Sequence, residues 1–310
     1  MSKVLVTGGA GFIGSHLTEE LVRLGHDVRV IDSLFSGNLK NLESVISKID
    51  FHKVDITNQE ELTPLFENID YVFHLAARRA VIASFENPHD YLSNNIGGTF
   101  NVLEASRLNG VKKVLFASSS SVYGGVNPPS VEGIENPTLS PYAFSKKAGE
   151  ELCKFFNAQY GLKTIALRYF NVFGPRQDPK SQYAVAIPKF IHAYLTDKQP
   201  TIFGDGTHTR DFTYVKNIVN ANILASEKDI GCEIINAGGG VETSVIELSQ
   251  TIANLLGKEW NPNYAQLAQK EPERAFASLE KAKELLGYAP EVSLEEGIER
   301  TIEYFKTTSL

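Results

Sequence analysis

A chain of 310 residues has room for one large domain or two modest ones. Its 42% hydrophobic and 22% charged content is that of a soluble globular protein, and a net charge of -7 argues against nucleic-acid binding. Two distant cysteines, Cys153 and Cys232, give neither a disulfide framework nor a metal site, and without an 18-residue apolar run or a signal peptide a cytoplasmic chain with no membrane partner is expected.

The first element, Val4-Leu5-Val6, has the unbroken apolar run of a strand buried on both faces. Gly8, Gly11 and Gly14 follow within TGGAGFIGSH. Helical spacing then runs through Phe12, Ile13, Leu17, Leu21, Val22 and Leu24 to a stop at Gly25. A second strand, Val28-Arg29-Val30-Ile31, ends on Asp32. Strand, glycine turn, helix, strand and acid together form a dinucleotide fingerprint. The glycines give a tight turn, approach to a pyrophosphate and close helix–strand packing; the acid accepts from the adenosine ribose. The phosphates sit on the free N–H groups of the helix start. A carboxylate at Asp32 repels a 2′-phosphate, and Ser33 and Asn38 bring no cation, so the expected cofactor is NAD.

A polar loop and irregular chain to Lys48 precede a third strand at Phe51 to Val54, closed by Asp55-Ile56. Glu60 to Phe66 is predicted as a short helix capped by Thr57 or Asn58, and Tyr71 to Leu75 as a strand running into Ala76-Ala77. Asp90 to Leu108 is a long helix, Lys113 to Ala117 a strand leading into the serines 118–121, Pro141 to Tyr160 a helix closed by Gly161, and Thr164 to Leu167 a sixth strand. This alternation implies an α/β fold, a Rossmann-type doubly wound parallel sheet. After Arg168 the pattern changes. Asn171 to Gln182 is a long loop, Ala186 to Leu195 and Asn217 to Glu227 are helices, Thr201 to Phe203 is a short strand, and Glu233 to Asn236 returns to the main sheet. Helices at Ser244 to Leu256, Leu279 to Leu286 and Leu294 to Lys306 complete a smaller mixed α/β lobe. The expected division is a cofactor domain at 1–170 with about 216–240, and a substrate lobe at 171–215 and 241–310, with the site beyond the carboxyl ends of the strands.

Tyr142 and Lys146 stand four residues apart, on one face near a helix start. A phenol titrates near ~10 and is a poor base unless its anion is stabilised. A neighbouring ammonium and an oxidised nicotinamide both favour the phenolate, which makes Tyr142 a candidate general base for a substrate hydroxyl. His74 reads as a packed histidine.

TGGAGFIGSH, Asp55-Ile56, HLAA at His74 to Ala77, SSSSVYG at Ser118 to Gly124 and YAFSK at Tyr142 to Lys146 together resemble the extended short-chain dehydrogenase/reductase superfamily, and more narrowly its UDP-sugar 4-epimerases. RYFNVFGPRQDPKSQYAVAIPKF and GDGTHTRDF carry the likeness over nearly the whole chain. The resemblance implies that Ser119 hydrogen-bonds the sugar 4-hydroxyl and relays its proton, that Tyr142 is the base, and that Lys146 lowers its pKa and holds the nicotinamide ribose. It places Gly8, Gly11, Phe12, Ile13 and Gly14 at the pyrophosphate, Asp32 on the adenosine ribose, Asp55 and Ile56 on the adenine, and Leu75, Ala76 and Ala77 along the cofactor. Asn171 and Arg210 would hold the sugar diphosphate, and Ser84 would lie beside the sugar. Ala275, small where other members are bulky, would leave room for an N-acetyl group, so UDP-N-acetylglucosamine and UDP-N-acetylgalactosamine are the expected pair, with UDP-glucose and UDP-galactose as a second. The run Ala268-Gln269-Lys270-Glu271 and Ser278 depart from the family's uridine-binding pattern. Ser119-Ser120-Ser121 lack the carboxylate of the 4,6-dehydratases, which favours epimerisation over dehydration; uronate epimerisation and net oxidoreduction are the competing activities. A homodimer pairing the helices at Asp90 to Leu108 and Pro141 to Tyr160 is also implied.

Overall fold

The computed structural model describes residues 1–178, 186–266 and 272–308. Seven strands form one sheet: β1 (Lys3–Thr7), β2 (Asp27–Ile31), β3 (Ile49–His52), β4 (Tyr71–His74), β5 (Lys113–Ser119), β6 (Lys163–Tyr169) and β7 (Cys232–Ala237). They lie in the order β3-β2-β1-β4-β5-β6-β7, every neighbour parallel. Within β1, Val4 and Val6 enter one core and Leu5 the other, the period of two that puts successive side chains on opposite faces. Helices α1 (Phe12–Arg23), α2 (Gly98–Leu108) and α3 (Pro141–Tyr160) cover these faces: α1 supplies Leu17 and Leu21 beside Val4, α2 and α3 supply Leu103, Cys153 and Phe156 beside Leu5. Because β1 lies between β2 and β4, the strand order reverses at its carboxyl end, where doubly wound sheets bind ligands.

The chain after β6 has a further core. Helices α4 (Ala186–Leu195), α5 (Val215–Glu227), α6 (Val245–Leu256), α7 (Glu280–Leu286) and α8 (Leu294–Thr307) follow in order. Ile187 and Ile191 of α4, Leu248 and Ile252 of α6, and Ile298 and Ile302 of α8 meet there. α5 returns to the main sheet beside α1, and Ala282 and Leu286 of α7 join the same face. Ser244 caps α6 in a full capping box with Glu247.

The predicted elements differ from the observed ones chiefly at their edges. The helix expected from Asp90 to Leu108 is a turn at Pro88–Leu92, a π-turn at Ser93–Gly97 and then α2. A helix at Val81–Glu86 and the short strands Thr209–Arg210, Thr213–Tyr214, Asn263–Ala265 and Arg274–Ala275 had no sequence expectation, and Val172–Phe173 is a strand within the stretch expected as a loop. Among the described residues no helix is long and apolar enough to cross a membrane.

Candidate active site

The glycine turn is closed from within. An added Cβ at Gly14 would lie 2.1 Å from the Gly8 carbonyl oxygen, and one at Gly8, whose φ is +72°, would lie 2.7 Å from the Ala76 nitrogen. Thr7 ties that segment down, accepting from Leu75 N–H at 3.1 Å with its carbonyl and from Ala76 N–H at 3.3 Å with its hydroxyl. Gly11 supplies no side-chain cap to α1, so the first N–H groups of the helix, at Phe12 and Ile13, are left for an anion. Asp32, just past β2, is buried and accepts from Ala10 N–H at 3.0 Å and Leu34 N–H at 2.8 Å. Burial raises its carboxyl pKa against those two donors. A cradle with no room for a Cβ at Gly8 or Gly14, a bare helix start and an acceptor beyond the next strand fit a dinucleotide. Asp55 turns its carboxylate onto Thr57 N–H and Oγ1 at 2.9 and 2.7 Å, while Ile56 is buried against Gly98. Ala77 follows Ala76, partly buried, at the end of the same segment.

β5 and α3 meet at the other end of this groove. Pro141 starts α3, with the Ser140 hydroxyl accepting from Ala143 N–H at 3.1 Å. Ser119, at the end of β5, accepts at Oγ from Ser121 N–H at 3.2 Å and Ser121 Oγ at 2.9 Å. Burial raises the Tyr142 pKa, while Ser119 and the charge of Arg79 work in the opposite direction. The Lys146 ammonium donates to the Ala117 carbonyl at 2.7 Å and lies 5.0 Å over the Phe116 ring. Burial lowers Lys146 itself to about 8. His74 is locked between Thr7 Oγ1 at 2.7 Å and Thr99 Oγ1 at 3.0 Å and is pushed down to about 3 by burial, a packed neutral histidine.

The substrate-side residues are brought together only in part. Arg210 and Ala275 face one another in register between two short parallel strands. Arg210 Nη1 donates to the carbonyls of Thr209 and Pro272 at 2.8 and 2.9 Å. Asn171, at φ +23°, donates to the Asp211 carbonyl at 3.3 Å, which brings it beside Arg210. Ser84 is fully buried, and its hydroxyl donates to the Val81 carbonyl at 2.5 Å. Positions 268–271 of the expected uridine run lie outside the described residues. Sequence reasoning missed Asp211. Its buried carboxylate takes the N–H groups of Gly239, Gly240 and Ala277 at 2.7, 2.9 and 3.2 Å, fixing the strand of Arg210 to the loop after β7. It also missed Arg79, the second of two adjacent arginines; the first, Arg78, stacks on Phe35 and pairs with Asp90.

Residues 4–238 match the family described as the NAD dependent epimerase/dehydratase family. A UDP-glucuronate 4-epimerase of Thermodesulfobacterium geofontis is 41% identical across 99% of this chain and 97% of that protein. The crystal structure of a UDP-glucose 4-epimerase of Thermotoga maritima with UDP-glucose superposes with a TM-score of 0.94 at 39% identity, covering 98% of both chains. A UDP-N-acetylglucosamine 4-epimerase from Methanobrevibacter ruminantium in complex with UDP-N-acetylmuramic acid is equally similar, at TM-score 0.94, 39% identity and 98% of both chains.

Proposed function

This chain belongs to the NAD dependent epimerase/dehydratase family, and from that premise we propose that it interconverts the C4 epimers of a UDP-hexose, with Tyr142 as the base. The observation that carries this reading is the seam of β5 and α3, where Lys146 donates to the Ala117 carbonyl at 2.7 Å and Ser119 acts on the Tyr142 phenol. NAD, when bound, supplies the acceptor for the C4 hydride and its return to the opposite face, so net redox is zero. Gly8, Gly11 and Gly14 would hold its pyrophosphate, Asp32 its adenosine ribose and Lys146 its nicotinamide ribose. The chain's own part is proton handling. The phenol oxygen takes the 4-hydroxyl proton directly or through Ser119, keeps it while the sugar is a ketone, and gives it back. Ser119, Ser120 and Ser121 hold no carboxylate, so the acid and base that dehydration needs are missing from this stretch.

UDP-N-acetylglucosamine and UDP-N-acetylgalactosamine are the preferred pair. Ala275, opposite Arg210, has the small side chain that an N-acetyl group requires. Arg79, an exposed cation whose charge acts on the Tyr142 phenol, favours a second reading, UDP-glucuronate, whose carboxylate it would attract. Incubation with UDP-N-acetylglucosamine, UDP-glucose and UDP-glucuronate separately, with products read by NMR, decides between them. An isomer of unchanged mass is expected; loss of water or accumulating NADH would overturn epimerisation. The proposal extends to a cytoplasmic homodimer in which α2 and α3 pair with their copies, and to a division between cofactor and substrate lobes near residue 170.

A further inference from the structure

Glu150 lies two helical turns beyond Tyr142 on α3 and has no exposed surface. Its Oε1 accepts from Ser118 Oγ at 2.7 Å and from Arg168 Nε at 2.8 Å, and its Oε2 accepts from Arg168 Nη2 at 2.7 Å. Ser118 and Arg168 are register partners at the carboxyl ends of β5 and β6. One carboxylate therefore clamps two strand ends to the helix that carries the phenol. Arg168 Nη2 also donates to Glu135, and Lys147 donates to the same Glu135, so two cations balance two carboxylates. A buried ion pair of this kind costs desolvation and is weak evidence for stability; holding a unique geometry is its better-attested use.

We propose that Glu150 is a positioning residue for the proton relay, fixing the strand end that carries Ser119 against the helix that carries Tyr142. Ser118 is the link. Successive strand residues leave the backbone in opposite directions, so a Ser118 held by Glu150 sets the direction in which Ser119 leaves. That direction sets how Ser119 is presented to the phenol of Tyr142. A displacement of about 1 Å in such a donor costs about 10²-fold in rate. The inference rests on the epimerase reading only through the roles of Ser119 and Tyr142.

Two variants of the full chain with NAD test it, Glu150→Gln and Ser118→Ala. The second removes one hydroxyl and leaves the Glu150–Arg168 pair intact, so it decides the matter if the first does not fold. Expected for both is retained NAD, unchanged KM for UDP-N-acetylglucosamine and lowered kcat, by about 10²-fold for Glu150→Gln, with the double variant no worse than the single one. A substrate-free readout is the phenolate absorbance of Tyr142, taken as the difference between each protein and its Tyr142→Phe counterpart. Its titration moves to higher pH in both variants, because Ser119, which favours the phenolate, is displaced. Unchanged kcat and unchanged phenol titration, whatever happens to the melting temperature, would reduce Glu150 to a structural role and overturn the proposal. If the unmodified protein converts no UDP-hexose, the epimerase reading fails instead, and the titration still decides the role of Glu150.

Discussion

Ser119 has two acceptor sites and one proton. Ser121 occupies the acceptors through its N–H and its hydroxyl, which leaves the Ser119 proton for the phenol of Tyr142. A serine donating to a phenol stabilises its anion, and Ser119 works against the burial that raises the Tyr142 pKa. Tyr142→Phe removes the base and leaves the glycine cradle untouched. It should retain NAD and lose about 10²- to 10⁴-fold in kcat; unimpaired epimerisation in that variant would exclude Tyr142 as base. Lys146 makes a separate prediction. Its folded pKa of about 8 lies below the value of about 10.4 for an unfolded lysine. Below the folded value both states hold the proton, and the full cost of a buried ammonium is present. Between the two values the unfolded chain binds more protons, so stability rises with pH through that window. Urea midpoints followed from neutral to alkaline pH should climb in the unmodified protein relative to Lys146→Met. Parallel curves would show that the ammonium is not buried in solution.

At the scale of elements, β1, the glycine turn and α1 form a unit with no room for a Cβ at Gly8 or Gly14. Alanine at position 14 would place its Cβ 2.1 Å from the Gly8 carbonyl oxygen, a backbone atom that cannot swing aside. Gly14→Ala should therefore open the turn and lose the cofactor, measured as nucleotide released when the purified protein is denatured. NAD at the unmodified level would mean that the cradle does not hold the pyrophosphate. This unit was legible in the sequence because three separate signals converge on it: an apolar strand, glycines at fixed spacing, and an acid after the next strand. The alternation of strands and helices was legible for the same reason, since periodicity is local. The two-residue strands around Arg210 and Ala275 were not, because they exist only through pairing with distant segments. Glu150 and Asp211 escaped as well. One looks like an ordinary helix charge and the other like a loop acid, until folding brings Arg168 to the first and the Gly239 and Gly240 N–H groups to the second.

For the whole molecule, the sheet leaves one conspicuous surface uncovered. Phe100 on α2 and Phe144, Phe155 and Tyr160 on α3 are each at least 43% exposed. Ring contacts run from Phe100 to Phe156 at 5.7 Å, from Phe156 to Tyr160 at 5.4 Å and from Phe155 to Tyr160 at 6.0 Å, making one aromatic strip across both helices. A cleft of about 340 Å³ opens along it, lined by Ile96, Phe100 and Leu152 among others. Soluble monomers rarely leave an apolar strip of this extent in water. A two-fold axis across α2 and α3 would let the strip cover itself, the isologous arrangement most common among homodimers. Phe155 lies about 20 Å along α3 from Tyr142, so its replacement separates association from chemistry. Phe155→Asp places a charge at the centre of the strip, where an unpaired carboxylate would have to be desolvated in each copy. Sedimentation velocity should find a dimer for the unmodified protein and a monomer for the variant, with NAD retained in both. A variant that sediments as the unmodified protein does, or an unmodified protein that is already monomeric, would show that α2 and α3 do not form the interface.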